Sequence, residues 1–147
     1  MTRYLLDTNV ILRFANTLDV NHSLVTSAIR KLLDQNNECV ITSQVIIEFW
    51  VVATRPTNVN GFGWSVEQVK ASVDRLLDRF PLLEDCPEIF PIWLELVSIS
   101  SLKGKRIHDI RLVAVMLAYG VNHLLTLNPS DFAVTSFITV VHPQMVQ

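Results

Sequence analysis

Asp7, Glu48, Asp109 and Asp131 occupy positions that a merely solvated acid does not need. Asp7 closes the short apolar run Tyr4-Leu5-Leu6 and is followed by Thr8, Asn9 and a second apolar segment at residues 10–14. Glu48 stands inside Gln44-Val45-Ile46-Ile47-Glu48-Phe49-Trp50-Val51-Val52, with no lysine or arginine three or four residues away to pair with it on a helix. A buried carboxylate without a partner must be protonated, hydrogen-bonded or bound to a cation. Asp109 opens the apolar stretch at residues 110–119, and Asp131 lies three residues beyond Asn128. Each acid has an ordinary alternative: Asp7 as a turn former, Asp109 and Asp131 as helix caps, Glu48 as a side chain reaching solvent.

Together they say more. Two carboxylates about 5 Å apart repel by roughly 3 kcal/mol at an effective dielectric of about 20. Three or four such groups in one place rival a domain's whole stability of about 5–15 kcal/mol, unless protons or a cation relieve them. Oxygen donors with little imidazole suit magnesium or manganese rather than zinc. The four histidines, His22, His108, His123 and His142, have no metal-binding spacing, and only His108 neighbours one of these acids.

Bringing the acids together requires alternating strands and helices. Residues 3–9 are read as the first strand, its apolar part stopping at Asp7, and in open α/β folds ligands bind at the carboxyl ends of the strands, where Asp7 lies. Residues 22–36 show helical spacing at Val25, Ile29, Leu32 and Leu33. Residues 39–42 are a second strand, after which Ser43 is expected to cap a helix to about residue 54, apolar nearly all round and therefore buried. Residues 55–64 are a loop, and Ser65 with Gln68 has capping-box spacing for a helix to about residue 80. A connection with a brief strand follows, then a helix with Pro87 in its first turn. The basic loop at residues 100–107 leads to a helix opening at His108-Asp109 and closed by Gly120. Strands at residues 122–126 and 138–141 complete an alternating pattern, with a turn or short helix at residues 128–132. Alternation implies a parallel sheet covered on both faces. Asp7, Asp109 and Asp131 then fall at one sheet edge, and Glu48, about one turn into its helix, can face it.

The chain of 147 residues is one domain's length, enough to bury roughly two-thirds of its unfolded surface. Half of it is hydrophobic, which calls for a well-filled core or a second copy over part of the surface. A formal charge of −2 excludes a globally basic nucleic-acid binder, so any polyanion site must be local. Cys39 and Cys86 make neither a CxxC pair nor a disulfide framework, in keeping with a reducing cytosol. With no signal peptide and no long apolar run, a soluble cytoplasmic protein is expected, without membrane association.

Four blocks carry a family resemblance: Leu5-Leu6-Asp7-Thr8-Asn9, the lone helical Glu48, His108-Asp109-Ile110-Arg111-Leu112-Val113-Ala114, and Leu125-Thr126-Leu127-Asn128-Pro129-Ser130-Asp131-Phe132. In order and separation they resemble the PIN domain and, within it, the VapC toxins of prokaryotic toxin–antitoxin pairs. The likeness spans essentially the whole chain. It implies a single three-layer α/β/α domain over residues 1–147 with a central parallel sheet, and a metal-dependent ribonuclease activity.

By the same resemblance, Asp7, Glu48 and Asp109 carry Mg²⁺ or Mn²⁺, and the fourth polar position maps onto Asn128. Here the chain departs from the fully acidic pattern, and whether Asn128 or Asp131 completes the site is left open. Thr8, Asn9 and Thr126 would orient the carboxylates and the attacking water. Lys103, Lys105, Arg106 and Arg111 bracket Asp109 and suit an RNA backbone. The loop at residues 58–64, with Phe62 and Trp64, offers base stacking, a partner contact or simply core packing. A VapB-like antitoxin and a homodimer are the implied partners. Two other readings compete: a haloacid-dehalogenase-type phosphatase, which wants an aspartate where Asn9 stands, and a non-catalytic α/β binding module.

Overall fold

The computed structural model describes residues 1–133 and 136–147. The strands are β1 (Arg3–Leu6), β2 (Glu38–Thr42), β3 (Leu82–Leu83), β4 (His123–Leu125) and β5 (Thr139–Val141). The helices are α1 (Thr8–Ala15), α2 (His22–Asp34), α3 (Ser43–Thr54), α4 (Val66–Arg79), α5 (Ile89–Ser100) and α6 (Arg106–Tyr119). Short 3₁₀ turns span Thr57–Val59, Pro129–Phe132 and Pro143–Met145.

All strand pairs are parallel, in the order β3-β2-β1-β4-β5. The chain moves outward from β1 to β2 to β3, then returns to the far side of β1 for β4 and β5. Right-handed crossovers therefore put α1 to α4 on one face of the sheet and α5 and α6 on the other. The packing agrees: α1 lies against α2 and α3, α3 against α4, and α5 against α6. The expected three-layer α/β/α arrangement with a central parallel sheet is what forms. The reversal lies between β1 and β4, the topological switch point at which α/β sheets bind ligands.

The sheet interior explains its sequence. Leu5, Leu6, Val40, Ile41, Leu124 and Leu125 are fully buried, as strands covered on both faces require. Ser65 and Gln68 close the expected capping box on α4, with reciprocal bonds of 3.1 and 2.8 Å. Gly120 ends α6 at φ +68°, a conformation glycine adopts without strain.

Several local expectations are corrected. The first strand stops at Leu6 instead of running to Asn9: Asp7 caps a helix that Thr8 and Asn9 already belong to. The cap of α3 is Thr42 rather than Ser43: the Thr42 hydroxyl accepts the Val45 N–H at 3.1 Å, and Ser43 is already helical. Nor is α3 buried all round. Val45, Phe49 and Ala53, spaced by four, face the core, while Ile47 and Val51 are 63% and 53% exposed. The last acid-bearing helix starts two residues early, at Arg106, so Asp109 sits inside its first turn instead of opening it. Phe62 and Trp64 are half-buried against the core and each other, with ring centroids 4.8 Å apart.

Candidate active site at the carboxyl edge of the sheet

Asp7 leaves β1 with its backbone N–H bonded to the Leu125 carbonyl at 3.0 Å, which ties the ends of the two switch-point strands together. Its side chain then does two things. Oδ1 accepts the Thr8 N–H at 2.8 Å and so caps α1. Oδ2 accepts the Thr126 hydroxyl at 2.8 Å and the Asn9 amide at 3.3 Å. Thr126 is fully buried, and its oxygen also accepts the Asn9 side-chain amide at 3.2 Å and the Asn128 N–H at 3.1 Å. Asn9 completes the staple by accepting the Leu127 N–H at 3.0 Å. The three residues expected to orient the acids are thus bonded to them, since the Thr8 hydroxyl donates to Glu48 Oε1 at 2.8 Å. That bond answers how Glu48 tolerates its apolar helix without an ion pair.

Asp7, Thr8, Asn9, Glu48, Asp109 and Asp131 line one basin of about 210 Å³, with Gln44, Leu12 and Leu112 completing the wall. Four acids from β1, α3, α6 and the turn after β4 therefore meet across the switch point. Burial first, and neighbouring carboxylates second, raise the proton affinities of Asp7 and Asp109. Burial, opposed by the Thr126 and Thr8 hydrogen bonds and reinforced by Glu48 and Asp109, pushes Asp7 up from 3.8 to about 6. Asp109 is also raised, first by burial and then by Asp131 and Glu48, although Lys105 and Arg106 pull the other way.

Among the described residues no three His, Cys, Asp or Glu side chains are already gathered closely enough to hold an ion. The donor set still fits a hard divalent cation, because it is all oxygen and contains no imidazole. One further observation favours that fit. Asp109 Oδ2 is buried and, among the described residues, accepts no hydrogen bond. Such an oxygen is costly unless something positive or protonated meets it.

Other residues of the sequence reading go elsewhere. Asn128 is exposed and lines a separate cleft beyond Asn9, not this basin, whereas Asp131 lines the basin itself. Lys103, Lys105 and Arg106 are exposed, with Lys105 and Arg106 close enough to act on Asp109. Arg111 does not share that placement. Two residues beyond Asp109 on a helix is the opposite face, and its guanidinium donates to Gln44 Oε1 at 3.0 Å and Asp85 Oδ1 at 3.1 Å. Gln44 was not anticipated as a site residue. It lies four residues before Glu48, hence on the same helix face, and also donates to the His108 carbonyl at 3.0 Å. Its helical spacing to Glu48 was the available signal.

The PIN domain family model matches residues 4–138. No curated protein matches the chain in sequence. Solved structures match in fold over nearly the whole length. VapBC2 from Rickettsia felis, bound to a DNA fragment from its promoter, has 19% identity and a TM-score of 0.71 over 96% of this chain and 98% of that one. VapBC-1 from nontypeable Haemophilus influenzae has 18% identity and a TM-score of 0.72, covering 97% and 99%. VapC20 of Mycobacterium tuberculosis, a toxin cleaving the sarcin–ricin loop, has 16% identity and a TM-score of 0.63, covering 92% and 96%. Among the described residues no helix is long and apolar enough to cross a membrane. With the switch-point sheet, the strand-end aspartate and a family model covering nearly all of it, the chain belongs to the PIN domain family.

Proposed function

We propose that this protein is a Mg²⁺- or Mn²⁺-dependent ribonuclease that acts as the VapC-type toxin of a toxin–antitoxin pair. The observation that carries the reading is the convergence of Asp7, Glu48, Asp109 and Asp131 on one basin containing an unpartnered buried carboxylate oxygen. Asp7, Asp109 and Glu48 would hold the cation, with Asp131, which lines the same basin, rather than Asn128 as the fourth oxygen donor. A bound divalent cation supplies phosphate neutralisation and acidifies an attacking water. The remaining work belongs to the chain. Thr126 and Asn9 hold Asp7, and Thr8 aims Glu48, so these two carboxylates are oriented before substrate arrives. Lys103, Lys105 and Arg106 attract the RNA backbone from beside the basin. Arg111, already bonded to Gln44 and Asp85, positions Gln44 instead of binding phosphate.

Cleavage of the sarcin–ricin loop by VapC20 supports RNA as substrate, and the VapBC complexes support a VapB-like antitoxin as partner. Homodimerisation draws support from large apolar side chains left outside the core, among them Ile47 at 63%, Phe90 at 64% and Ile99 at 65% exposure. A cytoplasmic location goes with this role. The test is cleavage of single-stranded RNA by wild type and Asp109→Asn in Mn²⁺ and in EDTA. Wild type cuts only with the cation, and the variant does not cut in either. Equal cleavage by the two proteins would end the assignment, and a wild type that neither cuts RNA nor binds Mn²⁺ would leave a non-catalytic binding module.

A further inference from the structure

Beside the carboxylate basin, across Asn9, lies a second cleft of about 310 Å³ with no carboxylate in its lining. Its wall carries four neutral side-chain amides, Asn9, Asn21, Asn128 and Gln144, together with Arg13 and His142. The charge of Arg13 is answered by Asp19 at 3.3 Å. The Asn9 amide is spent on Asp7, Thr126 and Leu127, so it forms a fixed partition between the two sites. The others are different. Asn21, Asn128 and Gln144 donate their backbone N–H groups to Asp19, Thr126 and His142 respectively. Among the described residues no hydrogen bond engages their side-chain amides. His142 accepts the Gln144 N–H at Nδ1 (3.0 Å), so its neutral ring keeps a proton at Nε2 and offers a donor.

We infer that this cleft is a base-reading subsite for one unpaired nucleotide of the strand whose phosphate lies in the carboxylate basin. The inference rests on the ribonuclease reading and adds to it the basis of sequence preference. An anion would call for free cationic groups and a cation for carboxylates; this lining has neither. Free amides present a donor and an acceptor side by side, the pattern that pairs with the edge of a nucleobase. Sequence-specific RNA recognition uses such edges in single strands, where the bases can be splayed out. The volume is at the small end of the ~300–1,000 Å³ range of ligand pockets, suited to a single nucleoside. Position agrees with chemistry. Asn128 follows Thr126 by two residues, and Thr126 donates to Asp7, so reader and carboxylate are joined through one hydroxyl.

The experiment has two arms on the full chain. In the first, the side-chain NH₂ resonances of Asn21, Asn128 and Gln144 are followed by NMR while each ribonucleoside 5′-monophosphate is added in EDTA. One or two bases are expected to shift them, and Asn128→Ala or Gln144→Ala should weaken those bases about tenfold while sparing the rest. Both positions are exposed, so truncation leaves the fold in place. In the second arm, cut sites are mapped in a random-sequence RNA pool with Mn²⁺, and Asn128→Ala should flatten the preference at one position beside the cut. Four monophosphates that act alike, or that leave these resonances unmoved, overturn the subsite. So does a variant that keeps the wild-type preference while still cutting, an outcome that leaves the nuclease intact. Base-selective shifts in a protein that never cuts RNA would keep the nucleotide subsite and remove the nuclease.

Discussion

The two clefts on either side of Asn9 share a loop and differ in almost everything else. The basin collects carboxylates from β1, α3, α6 and the turn after β4, while its neighbour is lined by neutral amides from α1, the start of α2 and the loops near the C-terminus. The division runs through residues 126–131. Asn128 precedes the 3₁₀ turn with φ −122° and ψ 68° and turns to the amide cleft, whereas Asp131, inside the turn, faces the acids. Three residues of backbone thus separate a charged position from a neutral one. The lesson is that charge density is tolerated where several elements end together and an ion or protons can relieve it. Immediately outside that point, the same loops supply uncharged hydrogen bonding.

The comparison breaks most visibly at Asp7. Asp7→Asn should reduce RNA cleavage by at least about 10³-fold, about 4 kcal/mol of barrier at ~1.36 kcal/mol per tenfold. The same change should stabilise the protein in metal-free buffer. Asp7 has its folded pKa raised from 3.8 to about 6, so the folded state holds a proton that the unfolded state has released. Stability is fully present below about pH 4 and is lost as pH rises through about 6. At ~1.36 kcal/mol per pKa unit this amounts to about 3 kcal/mol. Denaturant melts in EDTA between pH 4 and 7.5 should show that loss in wild type and much less of it in Asp7→Asn. A wild-type stability that climbs across this range would contradict the raised proton affinity of the buried Asp7.

A smaller effect belongs to the hydroxyl that serves both clefts. Thr126→Val keeps the shape but removes the donor to Asp7 and the acceptor for Asn9 and Asn128, so cleavage should fall about 10–100-fold. Its stability cost is about 1–3 kcal/mol, read by the same melts, because buried groups are left unpaired. The smallest effect sharpens the division itself. Asp131→Asn should weaken Mn²⁺ binding about fivefold, the order of one nearby charge of ~1 kcal/mol in a wet site. Asn128→Asp, although it adds a carboxylate, should change that affinity less than Asp131→Asn does. Calorimetric titration of both variants decides it, and a larger gain from Asn128→Asp would put residue 128 in the metal site.

Much of the fold was legible because its signals are local. Doubly buried strands read as short β-branched and leucine-rich runs, and the Ser65–Gln68 box and Gly120 mark helix ends through their own chemistry. Helix starts were less so. Arg106 and Ile107 carry no capping signature, and the loop residues before them look like any basic connection. The exposed side of α3 was hidden for another reason: Ile47 and Val51 are as apolar as the buried Val45 and Phe49, and composition cannot say which face meets the core. Within the site, acids were conspicuous against apolar neighbours, but Gln44 was not, since a glutamine on a helix surface is unremarkable until its partners Arg111 and His108 are brought to it.

By itself the sequence determined the alternation of strands and helices, the α/β class and which acids were too isolated to be ordinary, because each follows from neighbours within a turn or a strand. Only the tertiary structure decided that Asp131 joins Asp7, Glu48 and Asp109 while Asn128 turns away, and that Arg111 spends its charge on Gln44 and Asp85. Those outcomes depend on where crossovers return the chain and on which way a backbone bends at one residue. Such distances between remote segments are set by packing, and no local pattern records them.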